Sequence, residues 1–400
     1  MPENSLKNKT DYKRLGDYIR EVDSRNRDLA VTRLLGVSIS KEFMPSIANT
    51  IGTDMSSYKI VTREQFAYGP VTSRNGDKVS IALLSDDVPA IISQAYTVFE
   101  VVDKTKLLPE YLMMWFRRPE FDRYARYHSH GSAREVFGWE EMCDVRLPIP
   151  PLSRQREIVA EYETLTRRIR LNERLISSLE SAAQTLYRRT FVDNPNPSWR
   201  TGTLGECVVN SLGGDWGKDA PVANYQSEVY CIRGTDIPQI SVGNVSMPKR
   251  YILEKNLRTR KLLPRDIVIE ISGGGPTQST GRTFLVTNHA CKCVPANMIC
   301  SNFCRVIKSK PEYEIFVYAT LTHLYNTGFL FTLENSSNGV KNLDLSSLLN
   351  DVKIQISGLK ILEKFNTEFE TLNDLKFLKG REIQSLKRAQ EMVPMKIFND

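Results

Sequence analysis

The sequence predicts an α+β protein laid out as a tandem pseudo-repeat, with two mixed α/β globular units joined by two long antiparallel, coiled-coil-like helices. Three observations carry this expectation. One segment recurs 207 residues further on, each copy of it holds an apolar seam of helical period, and the stretch upstream of each copy alternates strand-like runs with turn-rich loops.

The repeat comes first. DVRLPIPPL (144–152) falls on DVKIQISGL (351–359), EYETL (161–165) on EFETL (368–372), and Phe191 and Asp193 on Phe398 and Asp400. Over 144–193, 16 of 50 gapless positions are identical, far above chance. Fainter echoes lie upstream: Pro109-Glu110-Tyr111 recurs as Pro311-Glu312-Tyr313, 202 residues on, and Leu15-Gly16-Asp17 as Leu204-Gly205-Glu206, 189 residues on. The offset grows along the chain, so the second copy carries net insertions. The helical segments kept their sequence while the globular units diverged, as two heads doing the same kind of task on different targets would.

The helices follow from periodicity. Ile158, Tyr162, Leu165, Ile169, Asn172, Ile176, Leu179, Ala183 and Leu186 recur in alternating steps of four and three, a heptad seam. Pro148, Pro150 and Pro151 forbid an earlier start, and Pro195 and Pro197 follow the end. Asn172 in the seam either fixes register or is a tolerated polar position. Phe365, Phe369, Leu372, Ile383 and Leu386 repeat the pattern, interrupted by Lys376 and Lys379, with Leu375 and Leu378 beside it and no break before Pro394. The two stripes bury each other as an antiparallel pair, receive separate partner proteins, or do both along different stretches.

Within the globular units, Val79–Leu84, Tyr96–Val102, Asp266–Ile271 and Thr283–Thr287 read as strands, and Glu110–Phe116 and Glu314–Tyr325 as helices. SRNGDK (73–78), SGGGPTQSTG (272–281) and NSSNGVKN (335–342) read as loops.

Composition sets the class. The 400 residues are 41% hydrophobic and 25% charged, which excludes a disordered or fibrous chain, and no run reaches the roughly 18 apolar residues of a membrane helix. The polar start MPENSLKNKTDYKR has no signal-peptide core, and seven scattered cysteines suit a reducing compartment, so the cytoplasm is expected. The net charge is +7; residues 1–150 balance at 21 basic and 21 acidic groups, and 194–357 carry 17 against 13. Two basic clusters stand out: Lys249, Arg250, Lys255, Arg258, Arg260, Lys261 and Arg265, with Glu254 their only acid, and Arg117, Arg118, Arg123, Arg126 and Arg134 with His128 and His130.

Catalytic signatures are weak throughout. Asn194-Pro195-Asn196-Pro197 lacks the adjacent prolines of an amino-methyltransferase tetrad and reads as a linker. Gly275–Thr283 misses a phosphate loop by one residue of spacing and has Arg282 where lysine is required. Asp266 and Glu270 share a strand as nuclease carboxylates do, but Ser272 stands where the lysine would follow. Cys291, Cys293, Cys300 and Cys304 lack zinc-knuckle spacing, and the first two are expected on one face of a strand as small buried hydrophobes.

The segment VRLPIPPLSRQREIVAEYETLTRRIRLNERLISSLESAAQTLYRRTF (145–191), with its short strand, its proline-rich run and Gln155 at the helix start, resembles the central region of specificity subunits of type I restriction–modification systems. Gln94-Ala95-Tyr96-Thr97 is similar to the motif preceding it, and the head–helix–head–helix layout matches over essentially the whole chain. The second copy departs from it, with Gln355-Ile356-Ser357-Gly358-Leu359 in place of the prolines. The resemblance implies target recognition domains at 1–150 and 194–357, with spacer helices at 151–193 and 358–400. It implies a non-catalytic subunit that reads a split target in double-stranded DNA, one half per head. Its partners would be two modification (methyltransferase) subunits docked on the helices, then restriction (translocase–endonuclease) subunits. S-adenosylmethionine, ATP and Mg would be held by those partners, with no cofactor or metal in this chain and no membrane. A helix of about 40 residues, roughly 60 Å long, exceeds a B-DNA turn of about 34 Å. Two other readings stay open: an autonomous nuclease or methyltransferase with unfamiliar motifs, and a coiled-coil scaffold that never touches DNA.

Candidate DNA-contacting residues follow from chemistry. In the first head they are Arg74, Asn75 and Lys78, whose donors suit base edges, and His130, Ser132 and Arg134, placed to clamp phosphate. In the second head, Gln278, Ser279 and Arg282 lie on a glycine-rich loop, and Asn338 and Lys341 occupy the place of the His130 region. Arg258, Arg260 and Lys261 suit phosphates better than bases. Arg167, Arg168 and Arg170 on the helix face DNA, a partner or solvent.

Overall fold

The computed structural model describes residues 12–46, 52–73, 75–76, 78–131, 134–193, 195–275, 277–337 and 340–398. The chain divides into two compact units, residues 1–167 with 387–400, and residues 168–386. Each contains one globular head and part of both long helices.

In the first unit, the strands Ile19–Val22, Thr97–Val101, Gln65–Tyr68 and Ile81–Leu83 lie side by side in that order, every neighbour antiparallel. In the second, Val208–Gly213, Cys304–Ser309, Ile267–Glu270 and Thr283–Leu285 repeat the same topology. The duplication is therefore present in the heads, where sequence had nearly erased it. A second ladder closes each head at its base. Tyr12–Arg14 pairs with Arg146–Pro148, and Arg200–Thr203 with Lys353–Ile356, each directly ahead of a long helix. The Leu-Gly-acid echo also has a physical cause. Leu15 and Leu204 are fully buried, and a Cβ on Gly16 or Gly205 would meet Cys143 Cβ at 2.7 Å or the Leu349 carbonyl at 2.9 Å. Glycine lets the helices Trp139–Cys143 and Leu345–Asn350 approach.

The heads diverge in their additions. The first adds the ladders Leu35–Val37 with Phe43–Pro45 and Lys59–Val61 with Ala90–Ile92. The second adds a mixed sheet in which Tyr225–Ile232 lies between Lys249–Leu253 and Asn297–Cys300. Two expectations are corrected here. Glu334–Ser337 and Val340–Leu343 form a hairpin across the stretch read as a loop, with Ser337 opposite Val340. Asn338-Gly339, between them in sequence, is a strong hairpin signal that loop composition masked. Cys291 and Cys293 lie on the helix Asn288–Cys293 rather than on a strand, because Thr287 caps it by accepting from the Ala290 N–H.

The central helix spans Leu152–Tyr187 and continues as a π-turn over Arg188–Val192; the C-terminal helix spans Leu359–Phe398, straight through Pro394. Every seam position read from the first copy is buried or half-buried, Asn172 included. The helices run antiparallel within the second unit, where Arg168 meets Glu382 and Glu180 meets Lys376. Gln155 anchors the helix start: it is fully buried, accepts from Leu108 N–H, and donates to the Lys106 and Pro150 carbonyls at 2.8 Å each.

Stacked and edge-on rings fill the first core, with Phe66 on Phe99 at 4.7 Å and Phe116 on Phe121 at 4.7 Å. In the second, Tyr187 and Phe191 of the central helix pack with Phe316 and Phe365, Phe191 lying 4.8 Å and 4.9 Å from them.

Candidate nucleic-acid interface

In the first head, the turn carrying Asn75 and Lys78 folds against the segment carrying His130 and Arg134. Thr72 N–H donates to the Glu135 carbonyl at 3.0 Å, Thr72 Oγ1 donates to Ser129 Oγ at 2.9 Å, and Val71 bridges Val136. His130 and Val136 exchange backbone hydrogen bonds at 3.0 and 2.9 Å, which pinches the segment into a tip. Lys78, His130 and Arg134 are exposed there. Asn75 is half-buried and turns its amide back toward the Val71 carbonyl at 3.4 Å. Arg74 and Ser132 lie outside the described residues.

The second head builds an analogous pair. Ser272–Gly273 pairs with Lys341–Asn342, so the glycine-rich loop runs beside the hairpin. Glu334 fastens the two: its Oε1 accepts from Thr280 N–H at 2.6 Å and Oγ1 at 3.0 Å, and its Oε2 pairs with Lys341 at 3.0 Å. Those donors hold the Glu334 carboxyl below its usual range against the opposing effect of burial, the largest contribution. Lys341 also lies over the Phe331 ring at 4.8 Å. Gln278 is exposed and donates to Tyr325 Oη at 3.2 Å. Asn338 lies outside the described residues.

Ser279 and Arg282 are placed differently from a DNA-facing pair. Ser279 is 3% exposed. Arg282 sends Nε and Nη2 to the two oxygens of buried Glu270, at 2.8 and 2.5 Å, and that bond raises its already high pKa. The second carboxylate of the nuclease-like pair is likewise occupied: both oxygens of Asp266 accept from Lys308 Nζ, at 2.7 and 2.8 Å.

The basic run at 249–265 is largely neutralised by acids distant in sequence. Lys249 pairs with Glu228, Arg250 with Asp219, Arg260 with Asp215 and Arg265 with Glu370, while Arg258 pairs with Glu254 within its own helix at 3.5 Å. Arg250 also stacks on Trp216 at 4.2 Å. Lys255 and Lys261 remain exposed. Of the helix arginines, Arg168 pairs with Glu382, and Arg167 and Arg170 are exposed.

Among the described residues, no group of three or more His, Cys, Asp or Glu is arranged to hold a metal ion. Burial pushes the thiols of Cys207, Cys231 and Cys304 up to about 11, 12 and 12, far from nucleophilic range at neutral pH. No described helix is long and apolar enough to cross a membrane.

Two heads of one topology, each presenting a polar loop fastened to a neighbouring segment and each feeding a long helix, define a two-headed recognition protein. Residues 5–181 match the family described as Type I restriction modification DNA specificity domain. This is the family that the helix-entry segment resembles. In fold, the chain is similar to the crystal structure of the type I restriction–modification system S subunit from M. genitalium, with a TM-score of 0.61 at 13% identity, covering 100% of this chain and 98% of that one. It also aligns with a chain from a structure on complex assembly and conformational transition of the type I R-M system (TM-score 0.48, 17% identity, 96% of each chain). A third alignment is to the HsdS subunit from Thermoanaerobacter tengcongensis (TM-score 0.37, 18% identity, 100% of this chain and 99% of that one). No curated protein matches the chain in sequence.

Proposed function

We propose that this chain is the DNA sequence-specificity subunit of a type I restriction–modification complex. It reads a bipartite duplex target, one half-site per head, and performs no bond chemistry itself. The observation that carries this reading is the repeated four-stranded topology under unlike loops: one scaffold, two reading surfaces. The exposed side chains Lys78, His130, Arg134, Gln278 and Lys261 are the DNA-facing candidates the geometry supports, with Lys341 at the hairpin edge. Ser279 and Arg282 serve the second head's interior instead. The engagement of Asp266 by Lys308 and of Glu270 by Arg282 favours a recognition role over a nuclease.

The helical pair sets the gap between half-sites and docks two modification subunits, which bring S-adenosylmethionine; restriction subunits, with ATP and Mg, join them in the cytoplasm. Leu171 and Leu175 on the central helix and Leu375 and Leu378 on the C-terminal helix are 54%, 37%, 38% and 46% exposed, an apolar surface suited to such docking.

The test is exchange of residues 1–150 for the corresponding head of a homologue, read by methylation mapping in cells carrying the partner subunits. One half of the methylated target changes and the other stays. A change in both halves overturns the reading.

A further inference from the structure

The repeat places a cleft at the corresponding position of each unit, between its head and its helices. The first, about 1050 Å³, is lined on its helical side by Tyr162, Gln390 and Glu391. The second, about 310 Å³, has Phe369, Ala183 and Gln184 there, the same positions 207 residues away. The two differ in charge. The cations lining the second are both engaged, Arg282 by Glu270 and Lys376 by Glu180. The wall of the first carries six cations, of which Arg118 and Arg123 pair with Glu120, Arg126 with Glu135 and Lys41 with Asp122, while Lys78 and Arg117 form no ion pair among the described residues. At offset 202, the positions of Arg117, Arg118 and Arg123 hold Ala319, Thr320 and Tyr325.

Three of these cations, Lys41, Lys78 and Arg117, lie close enough to act on one another electrostatically, with Asp122 paired to Lys41 alone among the described residues. Lys41 is 5% exposed; it donates to the Phe116 carbonyl and pairs with Asp122 at 2.8 Å. Burial lowers its pKa, Asp122 opposes that shift, and the positive charges of Lys78 and Arg117 add to it. The same Asp122 oxygen also accepts from the Val79 N–H at 3.0 Å, and this carboxylate forms no ion pair with Lys78 or Arg117 among the described residues. Arg117 lies over the Tyr162 ring and donates to its hydroxyl, while its buried Nε has no hydrogen-bond partner among the described residues. Glu42 and Glu391 also line the cleft, but among the described residues neither forms an ion pair with these cations. A fold that gathers like charges around an unpartnered guanidinium N–H is stabilised by an anion placed among them.

Which anion is indicated by what surrounds the cleft. Lys78 belongs to the turn of the first head's reading surface, and the rim carries Tyr127, 82% exposed, beside Arg123 and Arg126. Basic side chains interleaved with an exposed aromatic, continuous with a reading loop, suit a nucleic-acid backbone. We propose that this cleft holds a backbone phosphate of the DNA read by the first head, with Arg117 and Lys78 as its ligands, and that the second head has no counterpart. The inference rests on the proposed DNA-reading function and adds an asymmetry to it: the first half-site is held more electrostatically than the second.

The test uses the full-length chain assembled with its partner subunits, a duplex carrying the methylation-mapped target, and a scrambled duplex. Arg117→Gln weakens both duplexes by the same factor and reduces the slope of log affinity against log salt by about 0.9, the value for one phosphate. Arg117→Lys, which keeps the charge, restores the slope and controls for folding. Ethylation of phosphates on the target then interferes less with Arg117→Gln than with wild type at a site in the first half only. An unchanged slope overturns the inference, and so does weakening confined to the specific target. Loss of partner assembly with an unchanged slope assigns the cleft to an acidic protein segment instead and also overturns it. Wild-type complex that shows no salt-dependent duplex binding overturns the proposed function itself, a result distinct from the others.

Discussion

Arg168 on the central helix donates to Glu382 on the C-terminal helix at 2.8 Å, and Lys379 reaches the other oxygen of the same carboxylate at 2.9 Å. With Asn172 alongside, these cations hold the Glu382 carboxyl down to about 2, Lys379 contributing most. The arrangement can be satisfied in one register of the two helices, which gives the polar seam residue Asn172 a place in fixing alignment.

A pH dependence follows from this group. The folded value of about 2 lies below the ordinary 4.5, so the unfolded chain binds the proton more readily. The stabilising contribution is complete above about pH 4.5 and is lost as pH falls through about 2. Wild type is therefore the more stable protein at pH 6, and its advantage over Glu382→Gln in thermal melts disappears toward pH 2. At neutral pH the difference stays within about 1 kcal/mol, because Arg168 is 57% exposed.

Gln155→Leu deprives the Leu108 N–H and two carbonyls of the fully buried amide that partners them. The expected cost is about 3 kcal/mol, in the range for buried groups deprived of partners. The second copy holds Leu362 at the corresponding position, also fully buried, so Leu362→Gln is destabilising in turn. Denaturant melts followed separately for the two heads should place each loss in its own unit.

Gly380→Ala reverses the usual helix rule. Alanine ordinarily favours a helix over glycine by about 1 kcal/mol. Here its Cβ would fall 1.6 Å from the Val242 carbonyl oxygen, so the substitution lowers the melting temperature. A rise on Gly380→Ala would contradict the packing of this helix on the second head.

Arg282→Met leaves Glu270, 2% exposed, without its counter-charge and costs about 3–5 kcal/mol. Combining it with Glu270→Leu recovers most of that loss. On the proposed function the double variant keeps the wild-type methylation target, because Arg282 is turned onto buried Glu270. A changed second half-site in the double variant would restore Arg282 to the reading surface.

What was readable along the chain followed physical range. The long helices depend on contacts that repeat every three or four residues, so Ile158, Ile169, Leu179, Phe365, Phe369 and Ile383 are as buried as periodicity indicates. Phe377 and Gly380 escaped notice because they serve a second neighbour, the Ile237–Ser241 region, off the seam. The site was less legible. The run at 249–265 looks bare in sequence because Glu228, Asp219, Asp215 and Glu370 arrive through the fold. Ser279 looks accessible on a glycine-rich loop until Thr280 is drawn onto Glu334. The cleft around Arg117 was visible only as a cluster of arginines, since Lys41 and Tyr162 reach it from distant elements.

The ladders that join Tyr12 to Pro148 and Arg200 to Ile356 bring the entrance and exit of each head onto neighbouring strands. A head attached in this way can be excised and another inserted with the path of the flanking polypeptide undisturbed. The stretches at 144–193 and 351–400 share 16 of 50 positions, so the two attachment points match in fold more than in sequence. On the proposed function, a head exchanged at these ladders would hand a cell a new combination of half-sites from old parts, with no reading surface having to evolve afresh.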